Sequence, residues 1–365
     1  MAQLNHETTT GDVLSAYLQG QATEFLRSLR LHRESTTDAQ GAEESLEAAR
    51  ALRRAARRIG GTLHTFRPLL DQEWAAGLRP ELAWLSGTLA REHAYATRLE
   101  RLLDALHRLS GAPTVPAPKE PVPAGGRRSA GRWGSPQPSP QGADEQGSTP
   151  RGLTVGAAKA AALLERQLTL ARTRAHSAAL QAFGSSRFHA VADNVAVLAS
   201  EVPLIHAVED LKPLAAKAEE NLAEAVTALP LGQAGHPYNA EALTHGLAAG
   251  EAPEAQDAPW LKTRALLRLH RYAQEVLTGG PGAPGTDLRL ADAGHALDRH
   301  REAADAASAA ASAARTPRIA PATAYALGVL HADQRHEVEA ARFDFHQAWL
   351  REAGTAAETE AVSTR

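Results

Sequence analysis

The chain has 365 residues, of which 39 are basic and 42 acidic, so its formal net charge is −3. This near-neutral balance excludes the attraction of polyanions by net charge, and any basic site must therefore be local. The absence of cysteine excludes disulfides, thiolate metal sites and cysteine nucleophiles. The first residues show no secretory pattern and no run reaches the length of a membrane span, so we expect a cytoplasmic protein with no membrane partner.

The composition predicts an all-α fold. Alanine and leucine dominate, aromatic residues make up only 4% and β-branched residues are sparse, which favours helices over strands. Changes in composition along the chain predict five segments: a disordered N-terminus (1–11), a helical half (12–110), a disordered linker rich in Pro, Gly and Ser (111–152), a second helical half (153–352) and a disordered tail (353–365).

The spacing of apolar residues predicts the individual helices. In the first half, helices are expected over residues 12–31, 43–66 and 80–109, with an apolar joint after Pro68. In the second half, they are expected over residues 153–184, 186–198, 211–229, 241–247, 257–277, 288–314 and 322–350. No stretch has a strand pattern of useful length.

The second predicted helix carries a stripe of five arginines: Arg50, Arg53, Arg54, Arg57 and Arg58. At about 100° per residue, these guanidinium groups fall within roughly 140° of one face, and apolar residues such as Leu52, Ile59 and Leu63 fall on the opposite face. Arginine suits phosphate because its planar fork donates two parallel hydrogen bonds and keeps its charge. The stripe is therefore a candidate anion-binding surface. The alternative is a solvated face that carboxylates such as Glu43 and Glu47 neutralise.

The helix over residues 257–277 carries a second stripe, formed by Arg264, Arg268 and Arg271 within about 60° of one another. The apolar residues expected opposite it are Leu266, Leu269, Ala273 and Leu277. A cleft in which both stripes converge would suit a multiply charged anion. The alternative is again pairing with carboxylates, because Glu275 lies four residues after Arg271 on the same helix.

Patterns typical of catalysis are missing from the sequence. There is no phosphate-binding loop, no nucleophile elbow, and no HExxH or ExxH spacing of metal ligands. Three pairs with DxxH spacing, among them Asp104 and His107, are interpreted as ordinary neighbours on a helix surface. We therefore predict no catalytic residues, no metal site and no cofactor. Nucleic acid is a second-rank ligand, because few aromatic residues are interleaved with the basic ones.

Three segments resemble the CHAD (conserved histidine α-helical) domain family. They are ARALRRAARRIGGTLHTFRPLLDQEWAAGLRPELAWLSGTLARE, which contains the first arginine stripe, TRALLRLHRYAQEVL, which contains the second, and YALGVLHADQRHEVEAARFDFHQAWL near the C-terminus. The resemblance implies two pseudo-symmetric four-helix bundles with a basic cleft between or along them. It also implies that the cleft binds inorganic polyphosphate without catalysis.

The resemblance also assigns roles to particular positions. The first family signature matches Arg53, Arg57 and Arg58, and the second matches Arg264, Arg271 and Tyr272, with Arg268 at a position that is Lys or Arg in the family. Arg91, which precedes an acidic residue, resembles an arginine in the next helix of the family.

Some family positions are altered in this chain. The two signature histidines are replaced by Arg50 and Leu261, and the last basic position of the first signature is Gly60. A later histidine element is loosely matched by His300 and Glu302.

These observations predict a non-enzymatic protein that binds inorganic polyphosphate or a similar polyanion. The predicted contact residues are Arg50, Arg53, Arg54, Arg57, Arg58, Arg91, Arg264, Arg268, Arg271 and Tyr272. The alternative is a degenerate helical scaffold that has lost anion binding and uses its basic faces to contact an acidic protein partner.

Overall fold

The computed structural model describes residues 10–35, 39–111, 151–205, 210–236, 240–247, 252–280 and 288–363. Within these residues the regular secondary structure is helical, which confirms the predicted all-α class. The helices are α1 (Thr10–Glu34), α2 (Ala39–Thr65), α3 (Gln72–Ser110), α4 (Arg151–Phe183), α5 (Ser186–Ser200), α6 (Lys212–Thr227), α7 (Leu231–Ala234), α8 (Ala240–Leu247), α9 (Ala252–Thr278), α10 (Leu288–Ala314) and α11 (Pro321–Ser363). A 3₁₀ turn, Arg67–Leu69, joins α2 to α3.

The segments predicted to be disordered lie largely outside the described residues. This is the case for nearly all of the N-terminus (1–11) and of the linker (111–152). The backbone of α11 is helical through Ser363, and so extends into the segment that was predicted as a tail.

Helix α3 begins earlier than the sequence predicts. A start at Pro80 was expected because proline interrupts helices, but α3 spans Gln72–Ser110 with Pro80 inside it. The carboxylate of Asp71 caps the helix by accepting a hydrogen bond from the backbone N–H of Trp74 at 2.8 Å. Proline leaves the carbonyl of Ala76 without its helical donor, and this cost is tolerated because Ala76 is exposed to solvent.

Helix α9 also begins earlier than expected, at Ala252, and contains Pro259 in its interior. By contrast, α10 spans Leu288–Ala314, as its apolar spacing predicted. The breaking signal of Pro80 is therefore overridden by the packing of α3, whereas the early start of α2 at Ala39 and the late end of α11 at Ser363 involve no proline.

The buried apolar residues form three clusters. The first lies among α1, α2, the first half of α3 and α5, with further residues from α6 and α9, and the third lies among α6, α9, α10 and α11. The second forms where the hairpins α3–α4 and α10–α11 pack together. Helix α3 has 39 residues and is about 58 Å long, which is enough to contribute to both the first and the second cluster. Helices α6 and α9 contribute residues to both the first and the third cluster, so they connect these two cores directly.

A short antiparallel contact anchors the 3₁₀ turn to the segment after α5. Leu70 and Leu204 form an isolated β-bridge, and the backbone N–H of Ile205 donates to the carbonyl of Leu69 at 3.1 Å. On the other side, the N–H of Asp71 donates to the carbonyl of Pro203 at 2.9 Å. The turn that carries Arg67 is therefore fixed to the body of the protein by backbone hydrogen bonds.

A buried ionic cluster joins α9 to α11. Asp257 accepts hydrogen bonds from Arg335 at 2.7 Å and from Arg342 at 2.6 Å, and Arg342 also donates to Glu339 at 2.7 Å. Burial opposes the ionisation of Asp257, but the nearby imidazole of His300 and the hydrogen bonds from Arg335 outweigh it and hold the pKa of Asp257 at about 2. The cluster fixes the N-terminal part of α9, and with it the direction in which the second arginine stripe runs.

Candidate functional site

A cleft of about 810 Å³ lies between α2, α3 and α9. Its basic lining residues are Arg53, Arg57, His64, Arg67, Arg79 and Arg268. The remaining lining residues are small, apolar or uncharged, and no carboxylate lines the cleft among the residues that the structure describes. The two basic helices predicted from separate halves of the chain thus contribute to one concave surface.

Helix α2 faces the cleft with a row of four residues: Arg53, Arg57, Gly60 and His64. Their spacing of i, i+4, i+7 and i+11 places them within about 60° of one another on the helix. The opposite face is buried as predicted, with Leu52, Ile59 and Leu63 inaccessible to solvent. The centre of the predicted five-arginine stripe therefore faces the cleft, and the arginines at its edge point elsewhere.

Arg50 and Arg54 lie on that edge and share a carboxylate. Arg54 pairs with Glu47 at 2.9 Å and Arg50 pairs with it at 3.3 Å, in positions where all three side chains are well exposed. Arg50 also lies 3.4 Å from the Nδ1 atom of His93 in a neighbouring pocket of about 130 Å³. Neither arginine lines the main cleft.

Arg58, at the far edge of the stripe, forms a partly buried ion pair between α2 and α9. Its Nε atom donates to Glu275 at 2.7 Å, and the hydroxyl of Tyr17 donates to the same carboxylate at 2.9 Å. Burial raises the pKa of Tyr17, and the negative charge of Glu275 raises it further. This group holds α1, α2 and α9 together and lies outside the cleft.

Helix α9 contributes Arg268, Leu269 and Tyr272 to the cleft. Arg264 pairs with Asp298 on α10, and Arg271 lies beside Gly294 of the same helix. The expectation that Leu269 would oppose the arginine stripe is wrong, because α9 packs between α2 and α10 and its cleft-facing side lies between the two predicted faces. Only one of the three arginines on α9 therefore lines the cleft.

The charges in the cleft repel one another. Burial, together with the positive charges of Arg57, Arg301 and Arg264, lowers the pKa of Arg53 to about 10. Burial also lowers the pKa of Arg268 to about 10, with a further contribution from Arg264. Both groups stay charged at neutral pH, so the cleft concentrates positive potential that its described neighbours leave largely uncompensated.

Hydrogen-bonding capacity also remains unused in the cleft. The Nε atoms of Arg53 and Arg57 are buried and have no hydrogen-bond partner within the described residues. These buried donors add to the free-energy cost of the empty cleft, because no hydrogen bond offsets their desolvation.

Beyond Arg53 the cleft continues into two smaller pockets. One, of about 130 Å³, is lined by Arg50, His93 and His176 among others. The other, of about 70 Å³, includes Arg98 and Arg101. Arg98 and Arg101 are already paired, Arg98 with Asp305 at 2.9 Å and Arg101 with Gln334 at 2.6 Å.

Two further predicted positions lie outside the cleft. Arg91 is exposed on α3 and does not contribute to the cleft lining. His300, the loose match to a family histidine, is buried against the ring of Trp260, 3.5 Å from Asp257. The structure thus brings Arg53, Arg57, Arg268 and Tyr272 together, and separates the other predicted contact residues from them.

The sequence analysis missed three basic lining residues. His64 could have been found by extending the row of Arg53 and Arg57 along the same helix face. Arg79 precedes Pro80, where the helix was predicted to begin, so helical spacing assigned it to no face. Arg67 belongs to the 3₁₀ turn, and its direction is set by the backbone contacts described above.

Carboxylates that were expected to neutralise the stripes do not enter the cleft. Glu47 and Glu275 are engaged at its edges, as described above. Glu92 accepts from His176 at 3.0 Å, and Glu43 is exposed; neither lines the cleft. The alternative function, a degenerate helical scaffold that has lost anion binding, would be supported if carboxylates filled this site. Within the described part of the chain, none does.

Across the described residues, His, Asp and Glu nowhere gather in groups of three or more with a geometry that could hold a metal ion. No helix in the described ranges combines the length and apolarity needed to cross a membrane.

Comparison with known proteins gives a family match and a structural match. The sequence matches the CHAD domain family over residues 20–314. A solved structure, PptA from Streptomyces chartreusis, is 59% identical in sequence with a TM-score of 0.73, and the alignment covers 94% of this chain and 99% of the PptA chain. None of the curated proteins compared with the chain matches it.

Proposed function

The chain belongs to the CHAD domain family, and from that premise and the geometry of the cleft we propose that it binds inorganic polyphosphate without catalysing its turnover. The family is known for binding polyphosphate, which favours this ligand over other polyanions.

One observation carries the proposal: guanidinium groups from both halves of the chain line a single cleft that contains no described carboxylate. Arg53 and Arg57 approach it from α2 and Arg268 approaches it from α9. The arrangement costs free energy through self-repulsion in the empty protein, and a bound chain of phosphates would relieve that cost. Each charge-assisted contact with a phosphate oxygen is worth about 1.5–3 kcal/mol.

The cleft chemistry supports binding without turnover. Its described lining offers no carboxylate to hold a divalent cation or to serve as a general base. Tyr272 stands beside Arg268, where its hydroxyl would serve as a hydrogen-bond donor to a phosphate oxygen.

Calorimetric titration of long-chain polyphosphate at low salt tests the proposal. We compare the wild type, the double variant Arg57→Ala/Arg268→Ala, and Arg54→Ala as a matched control. The double variant removes two cleft arginines, so its affinity should fall by about 100-fold or more. Arg54→Ala removes an exposed arginine paired with Glu47 and should stay within about twofold of the wild type.

Salt provides a second readout in the same experiment. Affinity should decrease steeply as salt rises, and the slope should be shallower for the double variant because fewer counterions are released. Equal affinities for the wild type and the double variant, or no binding heat from the wild type at low salt, would contradict the proposal.

A further inference from the structure

Three basic side chains from three different elements meet at the outer mouth of the cleft. His64 lies near the end of α2, Arg67 on the 3₁₀ turn and Arg79 on α3. His64 and Arg67 are exposed, and Arg79 is half-buried. His64 lies on the same face of α2 as Arg53 and Arg57. It is seven residues, or about 10 Å, beyond Arg57 along the helix axis.

The contact between Arg79 and His64 shows which protonation state of His64 is favoured when the cleft is empty. The Nη2 atom of Arg79 lies 2.7 Å from the Nδ1 atom of His64. A guanidinium group has only donors, so Nδ1 must accept, and the imidazole is therefore neutral with its proton on Nε2. In this state Nδ1 of His64 accepts a hydrogen bond from Arg79, and this N–H group of Arg79 is then not available to an anion.

The surroundings of His64 are cationic or neutral on every side that the structure describes. Arg67 faces it from the turn and Arg79 from α3, while α9 contributes Arg268 and Tyr272 to the same cleft. No described carboxylate pairs with Arg67 or Arg79. Burial lowers the pKa of His64, and the charges of Arg79 and Arg67 lower it further, in agreement with the neutral state shown by the hydrogen bond.

We infer that His64, Arg67 and Arg79 form a proton-coupled phosphate subsite at the mouth of the cleft, in addition to the arginines at its centre. The inference rests on the proposed function, because it concerns how the same ligand is held. When phosphate binds, Nδ1 of His64 takes up one proton from solvent, and the Arg79 donor passes from the imidazole to a phosphate oxygen. The neutral acceptor thereby becomes a second positive donor, and His64 and both arginines then contact the anion.

Proton uptake gives the mouth a pH dependence that the central arginines lack. The empty cleft lowers the pKa of His64 and a bound phosphate raises it, so affinity should rise as pH falls through the interval between the pKa of the bound state and that of the free state. Arg53 and Arg268 remain charged throughout it, because their pKa values are about 10. Removal of His64 should therefore abolish the pH-dependent part of the affinity and leave the remainder.

Calorimetry with long-chain polyphosphate measures this coupling directly. Titration at about pH 7 in two buffers of different ionisation enthalpy gives the number of protons taken up on binding. The variant His64→Gln keeps a neutral acceptor for Arg79 but cannot be protonated, so it should lose proton uptake. The wild type should gain about fivefold more affinity than His64→Gln when pH falls from about 8 to about 6.

Two histidine variants serve as controls. His189→Gln changes an exposed histidine on α5, outside the cleft, and should behave as the wild type does. His93→Gln tests the other histidine close to the arginines of α2, whose pKa is lowered by burial and by Arg50 and Arg53.

The outcomes separate the inference from the function on which it rests. If the wild type binds but His64→Gln keeps its full proton uptake and pH profile, the subsite is overturned and the proposed function stands. Loss of proton uptake in His93→Gln, with His64→Gln unchanged, also overturns the subsite. Absence of binding by the wild type at every pH overturns the proposed function itself.

Discussion

Gly61 of α2 and Tyr272 of α9 meet where the two basic helices cross. A Cβ atom at Gly61 would lie 2.5 Å from Cδ2 of Tyr272 and 3.1 Å from its Cε2. The absence of a side chain at Gly61 therefore lets the ring of Tyr272 pack against the backbone of α2. This close approach sets the distance between the rows that carry Arg57 and Arg268, and hence the width of the cleft.

The neighbouring glycines should respond in opposite directions to alanine. Gly61→Ala forces the ring of Tyr272 to move and should lower the free energy of unfolding by about 1–3 kcal/mol. Gly60→Ala places its Cβ 3.9 Å from the Cβ of Leu82, an ordinary contact, and should raise it by about 0.5–1 kcal/mol through the gain in helix propensity. Urea unfolding of both variants gives the comparison.

A double-mutant cycle checks the cause of the Gly61 effect. In a Tyr272→Ala background the obstacle is gone, so Gly61→Ala should no longer destabilise the protein. An equal loss of stability in both backgrounds would show that the ring is not what limits this crossing.

We expect Arg268 to strengthen ligand binding and to lower the free energy of unfolding of the empty protein. Its pKa is lowered in the folded state, which means that the folded protein disfavours the charged form present at neutral pH. Arg268→Met keeps most of the side-chain volume and removes the charge, so the free energy of unfolding at about pH 7 should rise by about 1 kcal/mol, after allowance for solvent screening. The same variant should bind polyphosphate more weakly.

Arg54→Met is the matched control for this trade-off. Arg54 is exposed and paired with Glu47, so its replacement should change stability by no more than about 0.5 kcal/mol. Thermal unfolding with added polyphosphate should raise the midpoint of the wild type more than that of Arg268→Met. A fall in stability for Arg268→Met without ligand would refute the repulsion argument.

The Arg58–Glu275 pair should matter for folding and not for binding. Glu275→Gln leaves the partly buried Arg58 without its counter-charge and should lower the free energy of unfolding by about 2–3 kcal/mol. Because neither residue lines the cleft, polyphosphate affinity should stay within about threefold of the wild type. Glu47→Gln disrupts an exposed pair within α2, and it should lower the free energy of unfolding by no more than about 0.5 kcal/mol in the same denaturation assay. A large loss of affinity in Glu275→Gln would place Arg58 in the binding site after all.

The sequence predicted those features that depend on one helix alone. The buried face of α2, with Leu52, Ile59 and Leu63, follows from helical periodicity because α2 has one apolar side and one basic side. The bounds of α10 followed in the same way. Prolines misled the prediction at α3, because the cap at Asp71 and the packing of a long helix outweigh one missing hydrogen bond.

Which residues line the cleft depends on how the helices pack against one another, and the periodicity of a single helix carries no information about that packing. On α9, the direction of Arg264 and Arg271 is decided by α10, which supplies Asp298 and a close approach at Gly294. On α2, Arg58 is drawn away by Glu275, a residue 217 positions distant in the chain. Spacing could therefore propose the arginine stripes, but only the packed structure divides them into cleft residues and structural pairs.

Asp257 should make the protein sensitive to acid. Its pKa of about 2 lies below the ordinary value of 3.8, so its contribution to stability is complete above about pH 4 and is lost as pH falls towards 2. The size of this contribution is about 2 kcal/mol.

Asp257→Asn removes the charge that Arg335 and Arg342 share, and should lower the free energy of unfolding by about 3–5 kcal/mol at neutral pH because both guanidinium groups are nearly inaccessible to solvent. Urea denaturation at about pH 7 and about pH 3 should show that the wild type loses stability between the two conditions and that the variant loses about 1 kcal/mol less, because about half of the contribution of Asp257 is lost by pH 3. An equal acid-induced loss in both proteins would assign the effect to other carboxylates, since the buried cluster would then not be its source.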